Sequence, residues 1–188
     1  MPGYLAALTI VLMFGMVLLR VIVMKRQGIT SFHFGKLDKT DFVIPPFVLF
    51  YIYIVFANAF GLPLPSTQEF VRSQVVAWLG ILACATGLAL LLWSIISFGR
   101  SFRVGIDATG PDVLVTEGAF AISRNPIYVA FAFIVIGQFL VFPNWLLLAY
   151  LIAAIWLFNR QVLREEAYLK VHYGSSYEAY CRQVRRYL

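Results

Sequence analysis

The sequence predicts an all-α integral membrane protein with about five transmembrane helices, a cytosolic loop and an amphipathic C-terminal helix. Three observations carry this expectation. Of 188 residues, 61% are hydrophobic and 13% charged, with a mean hydropathy of +0.82, whereas soluble domains carry roughly 25% charged residues. The apolar residues fall into long runs parted by polar, Gly- and Pro-marked stretches. Every Lys and Arg except Arg20 and Arg72 lies after the first run, between the third and fourth, or after the fifth. A chain of this length is expected to be one domain, 1–188, with three spans in 1–98 and a helical hairpin and C-terminal helix in 99–188. No internal repeat is visible.

Taken in order, Tyr4–Met24 is long enough to cross a hydrocarbon core, which needs about 20 apolar residues. Its charges follow the apolar core and no small-residue cleavage site is evident, so it is read as helix and not as a signal peptide. A basic loop, Lys25–Asp41, leads to a second span, Phe42–Phe60, opened by Pro45-Pro46 and ended by Gly61-Leu62-Pro63. Val75–Phe98 is the third span, and Gly80 and Gly87 would let a neighbouring helix approach closely. Gly99–Ser123 is too long for a plain connector; it holds turn points at Gly105, Gly110 and Gly118 and a short apolar run, Val113–Val115, expected to be buried. Ile127–Phe142 and Trp145–Phe158, separated by Pro143-Asn144, predict an antiparallel hairpin of two short spans. From Asn159 onward, apolar positions at spacings near three and four predict an amphipathic helix interrupted at Gly174-Ser175-Ser176.

The positive-inside rule places the three basic segments in the cytosol and the N-terminus outside. The net charge of +6 is then a matter of topology and anionic headgroups, and nucleic acid is not an expected partner. Cys84 and Cys181 show no metal or redox spacing, and no metal is expected.

Two constellations carry chemistry. In Ser123-Arg124-Asn125-Pro126-Ile127-Tyr128, Asn before Pro reads as a capped helix N-terminus. Its free amides, with Arg124 beside them and Tyr128 one turn on, suit an anion; the plain alternative is an ordinary capped helix near lipid phosphates. In Arg160-Gln161-Val162-Leu163-Arg164-Glu165-Glu166, two carboxylates stand where a helix leaves the bilayer. They need partners there, with Arg124, Arg164 and Lys170 at hand. A solvated helix with Glu166 and Lys170 paired at i, i+4 is the plain alternative here. Together the two constellations offer cations for a carboxylate, and carboxylates for an ammonium or ribose hydroxyls.

With these residues in view, the stretch from about Ser97 to Leu188 resembles the isoprenylcysteine carboxyl methyltransferase and phospholipid methyltransferase family of integral membrane enzymes. The resemblance lies in Phe98–Asp107, Leu114-Val115-Thr116-Glu117-Gly118-Ala119-Phe120, Ser123–Tyr128, Arg164-Glu165-Glu166 and Tyr173–Tyr180. It implies that 99–188 is the catalytic core. S-adenosylmethionine would lie between the loop and the C-terminal helix, against Leu114, Val115, Gly118, Arg124, Asn125, Pro126, Tyr128, Glu165 and Glu166. A lipophilic acceptor would reach the methyl group from the bilayer, and an isoprenylcysteine-like carboxylate is the expected acceptor. The chain departs from the family pattern at Asn125, where a His is usual, at Gln161, where a basic residue is frequent, and at Arg185, where a Pro is frequent.

In-line methyl transfer from a sulfonium needs proximity, orientation and exclusion of water, but no covalent intermediate. A carboxylate acceptor would be oriented by Arg103, Arg160 or Arg164, whereas an amine or thiol would need a base such as Glu166. Other readings are a phospholipid or small-molecule N- or S-methyltransferase, an NADPH-dependent membrane sterol reductase, echoed by Tyr180-Cys181-Arg182, and a non-enzymatic membrane scaffold.

Overall fold

The computed structural model describes residues 1–26, 44–64, 69–71, 73–99 and 113–188. Its helices are α1 (Pro2–Arg26), α2 (Ile44–Phe60), α3 (Gln74–Phe98), α4 (Pro126–Val141), α5 (Trp145–Tyr173) and α6 (Ser175–Gln183), with a 3-10 turn at Gly118–Ala121. By length and composition α1, α3 and α5 can each cross a membrane, and α2 and α4 are shorter apolar helices. The protein is an all-α membrane protein.

Local chemistry sets the helix ends. Pro45 and Pro46 stand in the first turn of α2, where an N–H has no helical partner. Ser73 caps α3, its Oγ accepting from the Val76 N–H at 3.4 Å, and Asn144 caps α5, its Oδ1 accepting from the Leu147 N–H at 2.9 Å. Gly174 ends α5 at φ 52°, in the left-handed region that glycine enters without cost.

Sequence and structure differ over α5. Two elements were expected, a short span to Phe158 and a separate amphipathic helix from Asn159; one unbroken 29-residue helix is present. Asn159 and Arg160 are acceptable helix formers, and a change of solvent from lipid to water does not itself interrupt a hydrogen-bonded ladder. The break falls at Gly174, as expected. Val113 is exposed, and Leu114 and Val115 are half-buried, so that run is not the buried one expected; neither Gly105 nor Gly110 lies within the described residues.

In lipid the hydrophobic effect does not drive helices together, and close van der Waals packing through small residues does. Helices α3 and α4 show this. A Cβ on Gly80 would meet the Gly137 carbonyl oxygen at 2.6 Å, and one on Gly87 would meet the Ala130 carbonyl oxygen at 2.8 Å. Helix α4 also packs against α1 and α5, and its buried Gln138 donates to the Ala6 carbonyl of α1 at 2.8 Å. Ile10, Ile54, Val55, Ile134 and Leu147 fill the core between these helices. Large apolar side chains such as Leu82, Ile96 and Ile152 point outward, which suits a hydrocarbon surround.

The two ends of the bundle differ chemically. At one, Phe70 N–H donates to the Pro143 carbonyl at 2.7 Å and Asn144 reaches Asn58. At the other, Arg20 of α1 donates to the Gly99 carbonyl at the end of α3. The start of α4 and the polar half of α5 meet at this second end.

Candidate active site

Three elements converge at the polar end. The 3-10 turn comes first. Gly118, at φ 62°, leaves no room for a Cβ over Ser97, and Ser97 Oγ accepts from the Ala119 N–H at 3.0 Å. Phe120 meets Phe98 edge-on at 4.8 Å, and Tyr180 of α6 donates to the Phe120 carbonyl at 2.6 Å. The turn is thus pinned between α3 and α6. Burial pushes the Tyr180 phenol up to about 12, partly opposed by the Arg124 charge, so it remains a donor at neutral pH.

The α4 start follows. Pro126 occupies its first turn as expected, but Asn125 does not cap it with its side chain. Asn125 Nδ2 donates instead to Glu166 Oε1 and to the Arg186 carbonyl, both at 3.1 Å. Arg124 Nε and Nη2 donate to the same Glu166 Oε1 at 3.2 and 3.0 Å, and Nη1 donates to the Cys181 and Val184 carbonyls at 3.2 and 3.1 Å. Arg186 Nε donates to Glu166 Oε2 at 2.9 Å. The carboxylate that meets this helix start is therefore the protein's own.

Glu166 is 9% exposed and the Arg124 side chain 11%. Two cations and an amide surround one buried carboxylate, which is the arrangement such a charge requires. The plain alternative, a Glu166–Lys170 pair, is not what forms; Lys170 reaches Glu178 at 3.3 Å.

Glu165 has different company. Its Oε1 accepts from Tyr128 Oη at 2.6 Å and from Gln161 Nε2 at 3.2 Å. It lies beyond the apolar half of α5, and burial raises its carboxyl pKa, opposed by those two hydrogen bonds and the Arg164 charge. Among the described residues no hydrogen bond reaches Oε2.

The structure thus brings Arg124, Asn125, Tyr128, Glu165 and Glu166 together, with Pro126 buried beneath them. Arg160 and Arg164 stand half-buried on the same α5 segment as Glu165. Arg103 lies outside the described residues. Ser123, Tyr180 and Arg186 were missed at the sequence level. Ser123 Oγ donates to the Arg186 carbonyl at 3.3 Å and accepts the Asn125 N–H at 3.1 Å, contacts that leave no residue-type pattern.

Comparison with known proteins gives the family of the chain. The family described as phospholipid methyltransferase matches residues 75–176, more than half of the chain. The chain belongs to the phospholipid methyltransferase family. Among its relatives, the protein-S-isoprenylcysteine O-methyltransferase of Tribolium castaneum is 31% identical over 124 residues, 63% of this chain and 44% of the relative. That of Schizosaccharomyces pombe is 31% identical over 94 residues, 48% of this chain and 40% of the relative. A probable protein-S-isoprenylcysteine O-methyltransferase of Oryza sativa subsp. indica is 25% identical over 112 residues, 58% of this chain and 59% of the relative. The chain spans about half the length of the curated relatives it matches. The phospholipid methyltransferase match takes in α3, the 3-10 turn, α4 and α5, hence Arg124, Tyr128, Glu165 and Glu166.

Proposed function

We propose that this protein is an S-adenosylmethionine-dependent methyltransferase that methylates a lipophilic acceptor, the carboxylate of an isoprenylcysteine-like substrate, at the cytosolic face of a membrane. The observation that carries the reading is the junction of α4 and α5 within the family match, where a Tyr128–Glu165 pair stands beside the ion-paired Arg124–Glu166–Arg186 cluster. Names of the relatives favour a prenylated cysteine as acceptor.

The donor set fits the cofactor. A carboxylate with one engaged oxygen suits an ammonium or ribose hydroxyls, and Glu165 is that carboxylate. Tyr128 fixes its rotamer. Arg124 and Asn125 are committed to Glu166 and the tail carbonyls, so their role is to build the wall of the site, and Arg160 or Arg164, on the same segment of α5 as Glu165, would orient an acceptor carboxylate. When bound, the cofactor supplies a methyl group on a cationic sulfur.

Arg160 or Arg164 would hold the acceptor as its carboxylate, so that accepting the methyl group supplied by the cofactor would require no proton to be removed. Burial at the site excludes water and holds the reactants close, which suffices for a transfer that disperses charge. A base is unnecessary, which agrees with a Glu166 whose two oxygens are both engaged.

The test is methyl transfer by the full chain in lipid nanodiscs. A free S-prenylated cysteine is expected to yield a base-labile methyl ester, and the same compound already esterified is expected to accept nothing. Methylation of a phospholipid amine in preference would move the chain to the other acceptor class its family name describes. Binding of NADPH without S-adenosylmethionine would overturn the reading.

A further inference from the structure

The last residues of the chain form an unexpected part of the site. Arg124 N–H donates to the Arg185 carbonyl at 2.9 Å, and Arg124 Nη1 to the Val184 carbonyl at 3.1 Å. Ser123 Oγ and Asn125 Nδ2 both donate to the Arg186 carbonyl, at 3.3 and 3.1 Å. The Arg186 side chain crosses back to Glu166 Oε2 at 2.9 Å, and Tyr187 Oη donates to Asn159 Oδ1 of α5 at 2.8 Å. Residues 184–186 thus tie through their carbonyls to the α4 start, and residues 186 and 187 tie through their side chains to α5.

We propose that Val184–Tyr187 is a positioning strap and that Arg186 is its positioning residue, setting the spacing between the α4 start and the Glu165-Glu166 segment of α5. Its backbone carbonyls receive the donors of Ser123, Arg124 and Asn125. Its guanidinium holds Glu166 Oε2, the oxygen that Arg124 does not contact. Rotation of α5 about its axis would move Glu165 together with Glu166, so by fixing Glu166 the strap holds Glu165 against Tyr128 without touching either. A charged tail of this kind would otherwise serve only as a basic patch toward anionic lipid. The geometry argues against that being its whole role, because Arg186 faces a nearly buried carboxylate.

The proposal rests on the reading that the α4–α5 junction binds the methyl donor, and the experiment separates the two. Arg186→Ala is compared with Arg182→Ala, which removes the same charge from an exposed position on α6. Arg186→Lys keeps a cation and one donor, and covers the case in which the Ala variant fails to fold. Hydrogen exchange of segments 119–130 and 160–170 and affinity for S-adenosylmethionine are read on each variant in nanodiscs. Loss of a charge-assisted hydrogen bond is expected to speed exchange in both segments and to weaken the cofactor by about tenfold in Arg186→Ala. Arg186→Lys should be intermediate and Arg182→Ala unchanged. Equal effects of Arg186→Ala and Arg182→Ala, or none from either, would overturn the strap. Faster exchange in Arg186→Ala with no cofactor bound by the unaltered protein would leave the strap standing and remove the methyl-donor reading.

Discussion

At the scale of single residues, Glu165 and Glu166 are neighbours with different work. Glu166 compensates a buried guanidinium, and removing one partner of a buried ion pair costs about 3 to 5 kcal/mol. Glu166→Ala is therefore expected to lower thermal stability markedly, read by unfolding in detergent. Glu165→Ala leaves that cluster intact and should change stability by less than about 1.5 kcal/mol, while weakening S-adenosylmethionine binding in calorimetry at least as much as Glu166→Ala does. The opposite ranking would exchange the two roles. Asn125 yields a related series. Asn125→Ala forfeits a hydrogen bond to a charged group, about 1.5 to 3 kcal/mol; Asn125→Asp sets a second carboxylate against Glu166 and should be the less stable of the two. This ordering is the reverse of what a helix cap would show, since Asp caps as well as Asn. The Asn-Pro pair located the helix start correctly because that signal is local. What the Asn side chain binds was not legible, because its partner lies 41 positions away and a buried carboxylate is a stronger acceptor for its amide than any local group.

At the scale of elements, the spans were readable because an apolar run is a local property, and the small residues of α3 were readable as a contact face for the same reason. The partner in that contact was not, since Gly137 sits in a helix that is apolar but for Tyr128 and Gln138 and shows no single apolar face. Gly80→Ala or Gly137→Ala would drive a methyl group into a backbone carbonyl. Overpacking of this kind costs about 1 to 3 kcal/mol, and α4 would carry Arg124 away from Glu166 as it shifted. Both variants are expected to melt earlier and bind cofactor more weakly. Gly15→Ala is the control: nothing lies within 4 Å of the added atom, and α1 should hold or gain slightly, since Ala is the better helix former. Equal melting of all three would mean that α3 and α4 do not pack in this register.

At the scale of the whole molecule, the segregation of cations and the chemical difference between the bundle's ends predict one orientation. Leu62→Cys and Ser175→Cys, each in a chain with Cys181→Ser, should be labelled by an impermeant thiol reagent from opposite faces of sealed vesicles, with Ser175→Cys cytosolic. Labelling of both from one face would refute the arrangement. The pinning of Arg124 by the tail has a consequence in time. Arg124 and the Val184 carbonyl it meets are 60 positions apart, and at roughly 5 to 20 residues per second synthesis of the intervening chain takes about 3 to 12 seconds. For that interval the early helices are already made while Arg124 has no tail carbonyls to meet and, until residue 166 is added, no Glu166 either. The apolar bundle is thus the first thing built and the polar junction the last, so a chain released early would insert in the membrane without ever acquiring its site.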